Sequence, residues 1–201
     1  MQELWALSYN GKSIKDLPAA LQCRTDNSHN IPDLTAFVNA VLTYTGAPKV
    51  DLIAHSLGVT LVRAMLKARP EFSHAVGKFV AIAGPNHGTT VCRRSWLVWF
   101  IGWQDFIACN EIAPDSDWLR DLNHSLGEWE IPEAIESVAL YDGTGTDVFY
   151  RHWLFGLPLG DQHSPALKGA KNITMPGLTH DELRTHPEAV ATYLNYLLST
   201  P

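Results

Sequence analysis

An α/β domain with a mostly parallel sheet, helices on both faces, is what this sequence predicts. Three observations carry that expectation. Apolar runs of strand length alternate with amphipathic helical segments, and runs that are apolar throughout belong to sheets covered on both sides. The chain has 201 residues, 46% of them apolar, enough for one globular core. No repeat, low-complexity tract or linker interrupts it, so residues 1–201 read as a single domain.

In chain order, Glu3–Ser8 (E-L-W-A-L-S) reads as a short strand. Leu34, Phe37, Val38, Val41 and Leu42 recur at helical spacing and give one apolar face, which Gly46 and Pro48 bring to an end. Val50–Ala54 has the length and composition of a buried strand. A helix follows almost without a loop, with Leu57, Leu61, Met65 and Ala68 on one side and Pro70 beyond its end. Phe79–Ala83, Val138–Tyr141 and Ile173–Met175 supply further strands. A last helix carries Val190, Tyr193, Leu194, Leu197 and Leu198 as its stripe; Thr185 and Glu188 stand at capping-box spacing before it, which puts His186 in its first turn.

Residues 84–131 break the alternation and form an insertion holding five of the seven tryptophans: Trp96, Trp99, Trp103, Trp118 and Trp129. The first three share one helix face. Two readings stand side by side, a helix packed on the core and an apolar cap over a site.

Composition narrows the function. A formal charge of −6 argues against nucleic acid as a partner, because phosphate recognition needs a basic face. The longest apolar run, Trp96–Trp103, falls far short of the roughly 20 residues that span a bilayer. No Cys/His cluster has metal spacing, and no G-x-G-x-x-G or P-loop occurs, so neither a metal nor a nucleotide cofactor is expected. Cys23, Cys92 and Cys109 are the only cysteines. Cys92 and Cys109 flank the Trp-rich stretch; a disulfide between them places the protein outside the cytosol, and three reduced, buried thiols are the alternative.

The segment that carries chemistry is V-D-L-I-A-H-S-L-G-V-T (Val50–Thr60). A buried strand runs into a small-X-Ser-X-Gly turn, and a helix starts at once. Such a turn is tight enough to push Ser56 Oγ out at the end of the sheet, and it requires small residues, here Ala54 and Gly58, where strand and helix backbones nearly meet. The Leu57 N–H lies at the helix N-terminus, where it and the helix dipole favour an oxyanion. A serine nucleophile needs a base, and the base an orienting acid. In this arrangement the acid follows a later strand and the base comes near the end. Asp147, across a Gly-rich turn from strand Val138–Tyr141, is the favoured acid, with Asp142 its rival. His180, in the loop before the last helix, is the base. His55 reads as a packing or hydrogen-bonding neighbour, and His87, His152 and His163 as loop residues bordering a pocket or simply solvated.

V-D-L-I-A-H-S-L-G-V, A-I-A-G-P-N-H-G-T, E-I-A-P-D-S-D-W-L-R-D-L-N and G-L-T-H-D-E-L together resemble bacterial secreted lipases and esterases of the class 2 lipase type. The Ala-His-Ser-X-Gly form of the turn is also similar to that of extracellular polyhydroxybutyrate depolymerases. The resemblance implies an α/β-hydrolase fold, secretion, no cofactor, and hydrolysis of carboxylic esters through an acyl-enzyme by Ser56, Asp147 and His180. His55, Trp96, Trp99 and Trp153 are then expected to border the substrate, and the partners to be a small or polymeric ester and a lipid interface, with the chain monomeric. One departure stands out: nothing before Ser56 matches the His-Gly strand whose loop supplies a second oxyanion N–H in that family. Glu3–Ser8 resembles the strand after it, so either the chain is truncated at its N-terminus, with a gap beside the elbow strand and no signal peptide in this sequence, or the remaining strands have rearranged; truncation is the favoured expectation.

Overall fold

The structure, a computed structural model, describes residues 3–7, 27–92, 110–124, 128–151, 153–154, 157–158 and 160–199. Helix α1 (Asn30–Thr45) closes at Gly46, whose φ of 64° turns its N–H back to the Leu42 carbonyl at 2.9 Å. β1 (Val50–His55) passes into α2 (Leu57–Ala68) with only Ser56 between them. β2 (Val76–Ile82), α3 (Asp117–His124) and β3 (Glu136–Tyr141) follow. An antiparallel pair, β4 (Trp153–Leu154) and β5 (Leu157–Pro158), precedes β6 (Lys171–Thr174). The short α4 (Glu182–Thr185) and then α5 (Pro187–Leu198) end the fold.

β1, β2, β3 and β6 lie side by side in that order, every pair parallel. Because successive side chains of a strand point to opposite faces, the sheet divides its core in two. Phe79 and Ala81 of β2, with Ala54 and Ala139, meet Val38 of α1 and Val59, Val62, Met65 and Leu66 of α2. Val80, Ile82, Val138 and Leu140 meet Leu183 of α4 and Ala189, Tyr193 and Leu197 of α5 on the other face. Fully buried side chains such as Phe79 and Leu140 each contribute about 1.5–3 kcal/mol by leaving water. Lys78 ties α5 to β2: its ammonium donates to the carbonyls of Tyr196, at 2.8 Å, and Ser199, where the negative end of the α5 dipole lies.

Three expectations need correction. Residues 3–7 are not a strand; Leu4 is 91% exposed, and Trp5 rests edge-on against Tyr44 of α1 at 5.1 Å. Strand structure depends on a neighbour to pair with, and among the described residues none lies along the outer edge of β1. For the same reason β1 is not buried throughout: its residues alternate, and Ile53 is 44% exposed. Finally, Thr185 does not cap α5. Its hydroxyl donates to the Asp181 carbonyl, whereas His186 is the N-cap and its Nδ1 accepts the Glu188 N–H at 3.4 Å. Pro187, with no N–H and a helical φ, fixes the helix start one residue after His186.

Of the tryptophan-rich insertion, Trp96, Trp99, Trp103 and Cys109 lie outside the described residues. Trp118 packs beside Leu119 and Leu122 of α3 against Ala64 of α2.

Candidate active site

Ser56 has φ 55° and ψ −132°, a backbone conformation that costs a non-glycine residue about 1–3 kcal/mol. The surroundings impose it. Its N–H donates to the Ile82 carbonyl at 2.9 Å, its own carbonyl accepts the Val59 N–H at 3.0 Å, and so the residue belongs to sheet and helix at once. Gly84 lets the loop after β2 press on α2: a Cβ there would stand 2.5 Å from the Val59 side chain. Ala83, next to it, also has positive φ (48°) and is held by Tyr150, whose hydroxyl donates to the Ala83 carbonyl at 2.7 Å. Leu57 is the first residue of α2, so its N–H is one of those a helix leaves without an internal acceptor.

Asp147 and His180 come together across 33 positions of sequence: His180 Nδ1 donates to Asp147 Oδ2 at 2.8 Å. The Asp147 side chain is 2% exposed and its other oxygen accepts the Phe149 N–H at 3.1 Å, which fixes the carboxylate as the cap of a short 3-10 turn, Val148–Tyr150. The bond to Nδ1 leaves His180 Nε2 for another partner. Phe149 also lays its ring on that of His180, centroids 4.5 Å apart.

Asp142, the rival acid, has a different place. Its Oδ2 accepts the N–H groups of Thr144, at 3.0 Å, and Thr146, at 2.8 Å; its Oδ1 accepts the Thr144 hydroxyl and the Gly177 N–H at 2.8 Å. Burial acts to raise its pKa, yet these hydrogen bonds together outweigh it and hold the carboxyl below its ordinary value.

His55 turns towards the base. A carbonyl only accepts, so His55 Nε2 carries the proton it donates to the His180 carbonyl at 2.9 Å, and the two rings lie 4.6 Å apart. Burial first, and the neighbouring His180 second, bring its pKa down to about 4.

His87 is no solvated loop residue. Its Nε2 donates to Glu130 Oε1 at 2.8 Å and its Nδ1 lies 2.9 Å from the Ser164 carbonyl. The hydrogen bond with Glu130 raises the His87 pKa. Glu130 also accepts the Lys168 N–H, and the two hydrogen bonds keep its pKa low against the opposing effect of burial. Beside them Arg63 of α2, fully buried, donates to Asn86 Oδ1, Asn123 Oδ1 and the Glu130 carbonyl at 3.2, 2.7 and 3.1 Å. Burial lowers its pKa to about 10, so the guanidinium stays charged at neutral pH. This network anchors the loop after the nucleophile's neighbouring strand. It was not foreseen because Arg63, Asn86, Asn123 and Glu130 are scattered in the chain and each alone reads as a surface residue.

Of the other residues expected at the substrate, Trp96 and Trp99 lie outside the described residues, as does His152, and Trp153 is described only as backbone in β4. His163 sits edge-on to Tyr141 at 6.0 Å. Among the described residues, no group of three or more His, Cys, Asp or Glu is placed to hold a metal ion. Phe149 was missed: nothing in the sequence marks the second residue after an acid as a neighbour of the base.

The profile of the lipase (class 2) family matches residues 1–139. Among solved structures, the mature form of Bacillus licheniformis lipase BlEst2 is similar with a TM-score of 0.65 and 16% identity, over 86% of this chain and 75% of that one. Phospholipase PlaB from Legionella pneumophila has a TM-score of 0.64 and 12% identity, over 89% and 50%. Aspergillus fumigatus lipase B has a TM-score of 0.60 and 17% identity, over 89% and 43%. This chain thus spans half or less of the last two. At such identities the structures show a shared α/β-hydrolase fold and no more. A search of curated protein sequences found no match. With the family profile matched along more than half its length and that fold beneath it, the chain belongs to the class 2 lipases, hydrolases of the lipase and esterase kind.

Proposed function

We propose that this chain is a serine carboxylic-ester hydrolase that works through an acyl-enzyme on apolar acyl esters. The observation that carries the reading is the His180 Nδ1–Asp147 hydrogen bond of 2.8 Å in a chain whose Ser56 holds a strained turn between strand and helix. His180 Nε2 takes the Ser56 Oγ proton as Oγ attacks the ester carbonyl, and passes it to the leaving alkoxide. Water then enters, gives its proton to Nε2, and releases the acid and Ser56. Asp147, anionic and desolvated, holds the tautomer and offsets the charge of the imidazolium. The Leu57 N–H and the positive end of α2 stabilise the oxyanion. Phe149, 37% exposed with its ring on that of His180, and the neighbouring Val148, 57% exposed, offer an apolar surface for the acyl chain.

The same reading extends to an extracytoplasmic, monomeric protein with a Cys92–Cys109 bridge and a lipid interface. Peptide mapping without reduction tests the bridge, size-exclusion chromatography the monomer, and vesicle co-flotation the interface. A polyester depolymerase follows from the same chemistry, with release of soluble hydroxyacid from polymer granules as its sign. A lipid-binding module without turnover is the reading of another class. It draws on β1 being the edge of the described sheet, with one oxyanion donor in view.

The experiment is hydrolysis of p-nitrophenyl esters of increasing acyl length by the wild type and by Ser56→Ala. Turnover that persists with longer chains and is lost in Ser56→Ala supports the proposal. Binding of an apolar ester without turnover favours the module, and undiminished turnover in Ser56→Ala removes Ser56 from the mechanism.

A further inference from the structure

We propose that His55 is a positioning residue for the reaction, holding the backbone of the base to the backbone of the nucleophile through its hydrogen bond to the His180 carbonyl. The inference rests on the serine-hydrolase reading above.

Ser56 is fixed from below by sheet and helix. His180 stands on a loop between β6 and α4, and what locates its ring decides whether Nε2 meets the serine. Asp147 fixes the Nδ1 side at 2.8 Å, but a single hydrogen bond lets the ring pivot about it. Asp142 reaches the loop at Gly177, three residues earlier. Glu182 braces Thr179, accepting its N–H at 2.9 Å and its hydroxyl at 2.6 Å. Only His55 among these grips His180 by its own backbone, at 2.9 Å, across 125 positions of sequence and from the residue next to the nucleophile. Among the described hydrogen bonds, this one ties the residue next to the nucleophile directly to the backbone of the base. The His55 ring also lies 4.6 Å from that of His180, while Phe149 contacts the same ring at 4.5 Å, so pivoting meets an aromatic neighbour on each of two contacts.

The residue type matters as well. Reaction places a positive charge on His180, and a cationic donor 4.6 Å away would oppose it. Besides His180, the charged groups facing His55 are Asp181 and Arg184. With a pKa brought down to about 4, His55 donates its N–H as a neutral group at working pH. A lysine or arginine would donate only as a cation.

The test is p-nitrophenyl butyrate hydrolysis by wild type, Ser56→Ala, His55→Leu and His55→Gln, with melting temperatures of each. Alongside it, the Nδ1–H proton resonance of His180 is followed by NMR in the Ser56→Ala background. A displaced base costs on the order of 10²-fold in rate. The expected result is a fall of that order in kcat for His55→Leu with KM little changed, and recovery of most of it in His55→Gln, whose amide N–H reaches the same carbonyl. The His180 resonance should broaden in His55→Leu and stay sharp in His55→Gln. Wild-type kcat in a folded His55→Leu overturns the inference, as does an equal loss in both variants that follows melting temperature. An inactive wild type, or an active Ser56→Ala, defeats instead the hydrolase reading; the NMR resonance still judges His55.

Discussion

Asp142 Oδ1 accepts the Gly177 N–H at 2.8 Å, three residues before His180, while its Oδ2 accepts the Thr146 N–H at 2.8 Å, one residue before Asp147. One buried carboxylate thus clasps the loop of the acid to the loop of the base. Asp142→Ala leaves these N–H groups unpaired, at about 1–3 kcal/mol for each that stays buried. Lower thermal stability is expected together with reduced ester turnover, although Asp147 and His180 are both intact. Its pKa is held below the ordinary 3.8, so its contribution is full above that value and is lost as pH falls through the folded value. Melting temperatures from pH 2 to 6 should show an acid limb that Asp142→Asn flattens.

Asp147→Asn keeps an acceptor for the Phe149 N–H but gives His180 the wrong partner for its Nδ1–H. On the proposed mechanism kcat drops on the order of 10³–10⁴-fold with the fold retained. Steady-state kinetics with circular dichroism measure both. Unchanged kcat would take Asp147 out of the mechanism.

The His87–Glu130 pair makes stability depend on pH at both ends. His87 has a raised pKa, so its contribution is complete below 6.5 and disappears as pH rises through the folded value. Glu130 has a lowered one, so its contribution is present above 4.5 and disappears as pH falls through the folded value. The His87 side chain is 37% exposed, and solvent screening keeps the effect to about 1 kcal/mol or less. A melting temperature lower by about 2–4 °C on the alkaline side is expected, and His87→Gln should remove that slope.

Arg63 is buried with its three donor groups engaged by Asn86, Asn123 and Glu130. Arg63→Ala leaves three buried acceptors, Asn86 Oδ1, Asn123 Oδ1 and the Glu130 carbonyl, without their donor. At about 1–3 kcal/mol for each that stays buried, a destabilisation of several kcal/mol is expected in denaturant titration. Arg63→Lys should recover only part, since an ammonium lacks the planar fork.

What the sequence reveals here is what short stretches determine. Val50–Thr60 contains strand, turn and helix in eleven consecutive residues, and the strain at Ser56 follows from their order. The apolar strands foretell a covered parallel sheet because each residue carries its own burial signal. Glu3–Ser8 misleads because a strand exists only beside another, and that neighbour is no property of the segment. The α5 cap was misplaced by one residue because the Nδ1 of a histidine at position 186 also accepts a helix N-terminal N–H, here at 3.4 Å, and Pro187 decides where the helix starts. Asp142 and Asp147 are indistinguishable as sequence; only the folding of Gly177 and His180 over them separates a clasp from a partner of the base. The Arg63 network is invisible for the same reason, its members lying up to 67 positions apart.

The most direct measurement is covalent capture of the nucleophile with a p-nitrophenyl alkylphosphonate, read by intact mass and peptide mapping. Attack by Oγ forms a phosphorus–oxygen bond and expels p-nitrophenolate. The account predicts one adduct per chain, on Ser56, absent from Ser56→Ala and slowed in Asp147→Asn. An adduct on another residue, or ester turnover that continues once Ser56 is fully modified, would contradict it.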